Sequence, residues 1–264
     1  MNTAKLKDRL GGKVQVMQTE SREGRIITMP NTALAPVNSG YIALTNTNNA
    51  LAIISENLKN QPLSHQLFDI IKSPSGGATA FIVPGLSGDD IEKELVGIIV
   101  DYTLPRAYWN TPDPVEGTPP VCYSRDSLLS YPDGKPCNRC EFNTHGSKNG
   151  GETNAKACKE SVMIFLLRPD NILPAVVRVP VSSKTIFLRY MTRLVGRMIP
   201  LSGVVTKITL EKATNKTGQP YSLYNFEAVS TLSPEETTNA RAFGQKFMET
   251  LNAADLEPEI AEAV

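Results

Sequence analysis

Histidine, tryptophan and cysteine are scarce in this chain, which has two, one and four of them among 264 residues. With only His65 and His145, few side chains titrate near neutral pH and could act as general bases. The motifs G-x-x-x-x-G-K-[ST], G-x-S-x-G and H-E-x-x-H do not occur. These absences argue against an enzyme.

Long apolar runs are also lacking, since no stretch of about 18 apolar residues occurs in the sequence. The first residues, MNTAKLKDRLGGKVQ, do not continue into the apolar stretch of a secretory signal. We therefore expect a cytoplasmic protein with no membrane partner. In that reducing compartment, four cysteines are more often metal ligands than two disulfides.

Charge of either sign is balanced overall, with 27 basic and 27 acidic side chains, but unevenly distributed. From Ser161 to Phe226 there are nine Lys or Arg residues against two acids, whereas from Glu227 onward there are eight acids against two bases. The chain therefore combines a basic central region with an acidic C-terminal region.

The order of predicted elements indicates a mainly β chain with added helices. Residues 1–80 are interpreted as an N-terminal arm with short helices, 81–232 as a core, and 233–264 as an acidic C-terminal helix or tail. Strands are predicted at 93–104, 161–169, 174–181, 204–213 and 221–232, with a helix at 184–199 whose apolar face carries Ile186, Tyr190, Leu194 and Met198. Ser182 and Ser183 are candidate N-caps for that helix.

Three strands, a helix and two strands are the connectivity of the OB-fold, a five-stranded barrel that binds oligonucleotides. A Pro-, Gly- and Cys-rich insertion at about 105–159 separates the first two strands, in a loop that flanks the binding face of that fold. The fold class is therefore α+β, an OB-fold-like barrel with an insertion. An unrelated β-barrel or sandwich with a helix is the alternative.

The cysteines have the spacing C-x14-C-x2-C-x17-C and are Cys122, Cys137, Cys140 and Cys158. Two thiolates three residues apart, in PCNRC, can face one ion from a tight turn, and four of them close a tetrahedral zinc shell. We predict one structural zinc per chain, which stabilises an insertion with little apolar content. Four free thiols, or a site in which His145 replaces Cys122, are the alternatives. A zinc deaminase is disfavoured because neither histidine begins H-x-E.

Binding of a nucleic-acid strand requires cations for phosphates and aromatic faces for bases. The candidate contact residues are Arg106, Tyr108, Trp109, Arg168, Arg178, Lys184, Lys207, Lys212, Tyr221 and Tyr224. Alternation along the strands favours Arg178 and Lys207 for lining a groove. Trp109 has two interpretations, an exposed stacking platform or an anchor that holds the insertion against the barrel.

The segments PSGGATAFIVPG, GIIVDYTLPRAYW, PCNRC and ACK before SVMIFLL resemble a family of bacteriophage single-stranded-DNA-binding proteins. The resemblance runs from about residue 40 to 232 and implies an OB-fold core, zinc ligation by the four cysteines and strand binding across the barrel. It also implies a bacterial host cytoplasm and an acidic C-terminus that recruits replication or recombination proteins.

The expected function is therefore binding of single-stranded DNA, largely without sequence preference, in phage DNA replication or recombination. One alternative is a zinc-containing interaction protein that docks on a host or phage polymerase or other replication machinery. A nuclease is the other, but the predicted barrel nearly lacks the acidic clusters that would hold its metal ions.

Overall fold

The computed structural model describes residues 40–45, 47–59, 61, 67–111, 118–131, 133–148, 154–216 and 218–253. The N-terminal arm up to residue 39, His65 and the end of the acidic tail from residue 254 lie outside the described residues.

The described part of the chain is mixed α+β, as the sequence predicts, and consists mostly of strands. The helices are α1 (Ile42–Thr45), α2 (Thr47–Leu58), α3 (Val181–Val195) and α4 (Pro234–Ala253). The strands are β1 (Ile70–Ile71), β2 (Phe81–Gly85), β3 (Gly88–Glu92), β4 (Glu94–Thr103), β5 (Arg106–Tyr108), β6 (Cys122–Ser124), β7 (Lys159–Glu160), β8 (Val162–Leu167), β9 (Ala175–Val179), β10 (Val204–Thr214) and β11 (Pro220–Thr231). None of the described helices is long and apolar enough to cross a membrane.

The main sheet has six strands in the order β1-β9-β8-β4-β10-β11. The five predicted strands are β4, β8, β9, β10 and β11, and the four pairings among them are all antiparallel. β1, which the sequence does not predict, pairs in parallel with β9 through Ile70 and Val176. β10 and β11 form a long hairpin, in whose connection Gly218 N donates to Asn215 O over 3.1 Å.

The closed barrel of an OB-fold is not confirmed. Closure requires the outer edge of β9 to pair with β11, but that edge of β9 pairs with Ile70 and Ile71 of β1 instead. The six strands of the main sheet therefore form an open sheet with β1 and β11 at its edges.

Both faces of the central strands are covered, because β8 has six consecutive buried residues. On one face Ile164 and Leu166 pack with Phe187 of α3; on the other, Phe165 and Leu167 pack with α1 and α4. Such a continuous apolar run is typical of a strand buried on both sides. The sheet is thus the middle layer, and α3 and α4 pack on opposite faces of it.

Helix α3 begins and ends earlier than the sequence predicts. Its N-cap is Pro180, and neither predicted serine caps it with a side-chain hydrogen bond; Ser183 lies inside the helix and is fully buried. The buried face carries Ser183, Phe187, Tyr190 and Leu194, so the predicted stripe through Ile186 and Met198 is shifted. Met198 lies beyond the helix and is 94% exposed, because the helix ends at Val195 before Gly196.

The acidic C-terminal region begins with a helix that belongs to the core. Ala240, Phe247 and Leu251 of α4 are buried in the cluster that includes Phe165 of β8. The Phe247 ring meets the ring of Phe165 edge-on at 5.4 Å. Only residues beyond α4 are therefore candidates for a tail.

Candidate functional site

The insertion between β4 and β8 has a small sheet of its own. Three short strands pair in the order β6-β5-β7, so that Arg106 of β5 lies opposite Ser124 of β6 and Glu160 of β7. The pairing places the start of the insertion, its middle and its end side by side. Residues that are far apart in sequence, including the cysteines, are thereby brought together.

All four cysteines line one cavity of about 710 Å³. Cys122 begins β6, and Cys158 directly precedes β7 and donates its backbone N–H to Phe142 O over 2.8 Å. Cys137 and Cys140 lie on a tight turn in which Cys140 N donates to Cys137 O over 3.3 Å. The structure therefore brings together the four predicted zinc ligands.

Burial favours the neutral thiol at two of these cysteines, Cys122 and Cys158. Burial raises the pKa of Cys158 to about 11 and also raises the pKa of Cys122, and the neighbouring cysteine thiolates add to both shifts. Among the described residues, no three His, Cys, Asp or Glu side chains are arranged so that they could hold a metal ion as they stand. The cavity thus gathers four soft donors.

Aromatic packing fixes the insertion beside this cavity. Tyr108 stacks on Phe142 with 3.9 Å between the ring centroids. Trp109 is 8% exposed, and its Nε1 donates to Thr118 O over 2.8 Å while Lys159 Nζ lies 5.5 Å from the ring centroid. Trp109 therefore packs within the insertion, and its buried indole has no free face on which a base could stack.

A second and larger cavity, of about 1040 Å³, opens between the insertion and the main sheet. We call it the basic cleft, because six Lys or Arg side chains and a single carboxylate, Glu160, lie among its described lining residues. The six basic residues are Lys72, Lys148, Lys156, Lys159, Arg178 and Lys184. Such a concentration of one sign of charge in a concave site focuses a positive potential within it.

The basic cleft has two walls of different origin. One consists of described insertion residues between His145 and Cys158, with the β7 residues that follow them, and it carries Lys148, Lys156 and Lys159. The other comprises Lys72 after β1, Arg178 on β9 and the first turn of α3 with Lys184. The N-terminal end of a helix adds partial positive charge from its unpaired N–H groups.

Several predicted contact residues form ion pairs instead of facing an open groove. Arg168 contacts both carboxylate oxygens of Glu92 at 2.9 Å, and Lys207 pairs with Glu227 across the β10–β11 hairpin at 2.6 Å. Arg106 pairs with Glu160 at 3.1 Å inside the insertion.

Alternation along the strands favoured Arg178 and Lys207 for lining a groove, but the two residues lie on strands that are not neighbours in the sheet. β9 and β10 are separated by β8 and β4, so the two side chains do not share a groove. Of the ten predicted contact residues, the cleft lining includes only Arg178, Lys184 and Tyr224. Tyr224 is 1% exposed and packs edge-on against Phe81, so its ring is not available to a base. Lys212 and Tyr221 lie on the β10–β11 hairpin, outside that lining.

Four of the six cleft cations are not among the residues predicted from the sequence. Lys148, Lys156 and Lys159 lie in HGSKNGGETNAKACK. The sequence signal that could have revealed them is a group of lysines among small residues, in a segment with too few apolar residues to form its own core. Lys72 follows a two-residue strand that the sequence does not reveal.

No protein-family model matches this chain, and neither a curated protein nor a solved structure matches it. The resemblance to phage single-stranded-DNA-binding proteins therefore stays a prediction. The evidence for a function comes from the two cavities, the one lined by the four cysteines and the basic cleft.

Proposed function

We propose that this chain binds single-stranded DNA in the basic cleft, largely without sequence preference and without catalysis, during phage DNA replication or recombination. The observation that carries the proposal is the cleft itself, with six cationic side chains and one carboxylate among its described lining residues. Lys and Arg that neutralise phosphates supply most of the affinity in sequence-independent binding.

The form of the site favours a single strand over a duplex. Duplex recognition places a helix or ribbon of the protein into a DNA groove, whereas single strands run in positively charged grooves of the protein. A concave site of about 1040 Å³ is suited to a few nucleotides of one strand.

In this proposal the main sheet is an open variant of the OB-fold. In an OB-fold the loop between the first two strands flanks the binding face. Here that loop is the insertion, and its described residues between His145 and Ser161 line one wall of the cleft. The acidic residues beyond α4 are proposed to recruit replication or recombination proteins.

We further propose that Cys122, Cys137, Cys140 and Cys158 hold one structural zinc. The donor set fits this metal, because four thiols in one cavity, two of them on a tight turn, are the ligands that structural zinc sites use. Bound zinc supplies folding free energy to a segment with few buried apolar residues. It thereby stabilises one wall of the cleft.

Removing two cleft lysines tests the proposed binding. Lys72 and Lys148 lie on opposite walls, and neither has a salt bridge among the described residues, so Lys72→Ala with Lys148→Ala leaves no carboxylate unpaired. Each lost phosphate contact flattens the slope of log affinity against log salt by about 0.7. The slope of the double variant should therefore be flatter than that of the wild type by about 1.4. Fluorescence anisotropy with a labelled thymidine strand measures both quantities.

The matched control is Lys246→Ala, which removes an exposed charge of α4 outside the cleft lining. We expect wild-type affinity and slope for this control. If the double variant also binds with wild-type affinity and slope, the cleft is not the binding site. The exposed arginines Arg189 and Arg193 of α3, with Arg197 just beyond the helix, would then be the next candidates.

A docking role is the second candidate, and a specific observation favours it. Four apolar side chains of the insertion are more than half exposed, namely Val121, Leu128, Leu129 and Tyr131. Exposed apolar residues grouped on one module are a feature of protein interaction sites. The replication-machinery alternative predicts that Leu128→Ser with Leu129→Ser removes partner binding in a pull-down with polymerase, while the purified chain binds no single strand.

A further inference from the structure

Exposed aromatic faces are nearly missing from the described walls of the basic cleft. The described lining includes two aromatic rings, those of Tyr224 and His145. Tyr224 is 1% exposed, whereas His145 is exposed and its Nδ1 lies 3.2 Å from Asn154 O. No tryptophan or phenylalanine lies among the described lining residues.

Two of the rings that the sequence offers for stacking are engaged elsewhere. Trp109 is buried in the cluster with Ala107 and Tyr123. Tyr108 lines the cysteine cavity and has one face covered by Phe142. Known single-strand grooves that combine cations with stacking platforms need accessible rings along the strand. The described walls of this cleft supply cations without them.

The cations are, by contrast, distributed over both walls. Lys148, Lys156 and Lys159 face the cleft from the insertion, and Lys72, Arg178 and Lys184 face it from the main sheet and α3. Five of these six are lysines, whose compact ammonium groups act as point charges toward phosphates. A polyanionic backbone between the walls would be neutralised from two sides.

We infer that the cleft recognises the sugar–phosphate backbone alone and leaves the bases unstacked, an inference that rests on the proposed single-strand binding. The ligand class is therefore any single-stranded polynucleotide backbone, whatever its bases. Affinity depends on the number of phosphates within the cleft and on salt. It does not depend on base identity or on the presence of a base.

The experiment measures how tightly the full wild-type chain binds two labelled strands of equal length. One is a thymidine 20-mer, and the other has the same phosphates with tetrahydrofuran abasic sites in place of every nucleoside. Anisotropy titrations at 0.05 M and 0.2 M salt give both dissociation constants and both salt slopes. We expect dissociation constants within threefold of each other and equal slopes, because counterion release depends on phosphates only.

Stacking would give a different result, since each stacked base contributes about fivefold or more in affinity. A loss of more than threefold for the abasic strand overturns the inference while the proposed function stands. If neither strand binds, the proposed function itself fails. His145→Ala tests the one exposed ring of the described lining, and we expect the ratio of the two dissociation constants to change less than twofold. A larger change assigns stacking to His145 and overturns the inference.

Discussion

Glu160 of β7 forms an ion pair with Lys184 of α3, and this contact joins the two walls of the basic cleft. The same carboxylate pairs with Arg106 of β5 at 3.1 Å, and the side chains of Arg106 and Glu160 are only 12% and 13% exposed. Glu160 is also the single carboxylate among the described lining residues. It therefore holds the insertion against the main sheet at the cost of one negative charge in a cationic site.

Glu160→Gln should lower the free energy of unfolding by about 3 kcal/mol, because it leaves the largely buried Arg106 guanidinium without its counter-charge. Glu227→Gln is the matched control. It breaks the Lys207 pair on the β10–β11 hairpin, where Glu227 is 64% exposed, and should cost much less than Glu160→Gln because solvent screens the exposed pair. Urea denaturation followed by circular dichroism measures both; equal costs would contradict a structural role for the Glu160 pairs.

The zinc prediction is tested by metal analysis. Purified protein should contain about one zinc per chain, and Cys137→Ser should lose it. Because one cleft wall lies between Cys140 and Cys158, zinc loss should also weaken binding to single strands. Protein that folds and binds equally well in a strong chelator would contradict both the metal site and its connection to the cleft.

The C-terminal region separates into a structural part and a tail. A chain that ends at Ala253 keeps α4 and loses four acids with no basic residue, so it should fold normally and bind single strands more tightly at low salt. A chain that ends at Glu249 also loses Leu251, which is fully buried, and should be destabilised by about 2–5 kcal/mol. Thermal melts and anisotropy titrations of both chains check this. Unchanged low-salt affinity of the longer chain would contradict the expectation that the acids beyond Ala253 compete with the strand for the basic cleft.

Alkaline pH should destabilise the protein through its buried tyrosines. Burial raises the pKa of Tyr190 to about 12, although its hydroxyl also shares a hydrogen bond of 2.7 Å with Thr206 Oγ1. In the unfolded chain a tyrosine ionises near pH 10, so between about pH 10 and 12 the unfolded state releases its proton first. The stability contributed by Tyr190 is therefore complete below pH 10 and is lost as the pH rises toward 12, by about 2 to 3 kcal/mol.

Tyr190→Phe should make the fall of the urea midpoint between pH 9 and 11.5 shallower, even though the variant starts from a lower stability. Tyr131→Phe, at a tyrosine that is 51% exposed, should leave the fall unchanged. Parallel pH profiles for the wild type and Tyr190→Phe would show that this buried tyrosine does not cause the effect.

Local patterns predicted the elements of the main sheet well. The apolar run of β8 and the turn after β10 have clear sequence signals, and the structure has a strand and a hairpin there. Barrel closure was not predictable from them, because it depends on Ile70 and Ile71, a two-residue strand that takes the edge of β9. Pairing of so short a strand is a tertiary effect without a local pattern.

The candidate site was predictable only in part, for the same reason. The cysteine spacing pointed to four residues that do line one cavity. The cleft, however, forms because β7 pairs with β5 and Glu160 reaches Lys184, and these contacts join segments that are distant in sequence. Alternation along β9 favoured Arg178, which does line the cleft, whereas Lys207 on β10 has a cross-strand acid as its neighbour.

Lysine footprinting of the wild-type chain tests the central claim most directly. The protein is treated with an amine-reactive acetylating reagent, with and without a saturating thymidine strand, and modification is read by peptide mass spectrometry. We predict that the strand protects Lys72, Lys148, Lys156 and Lys159 of the cleft and leaves exposed Lys246 of α4 equally reactive. Unchanged reactivity of the cleft lysines under a saturating strand would contradict binding in the basic cleft.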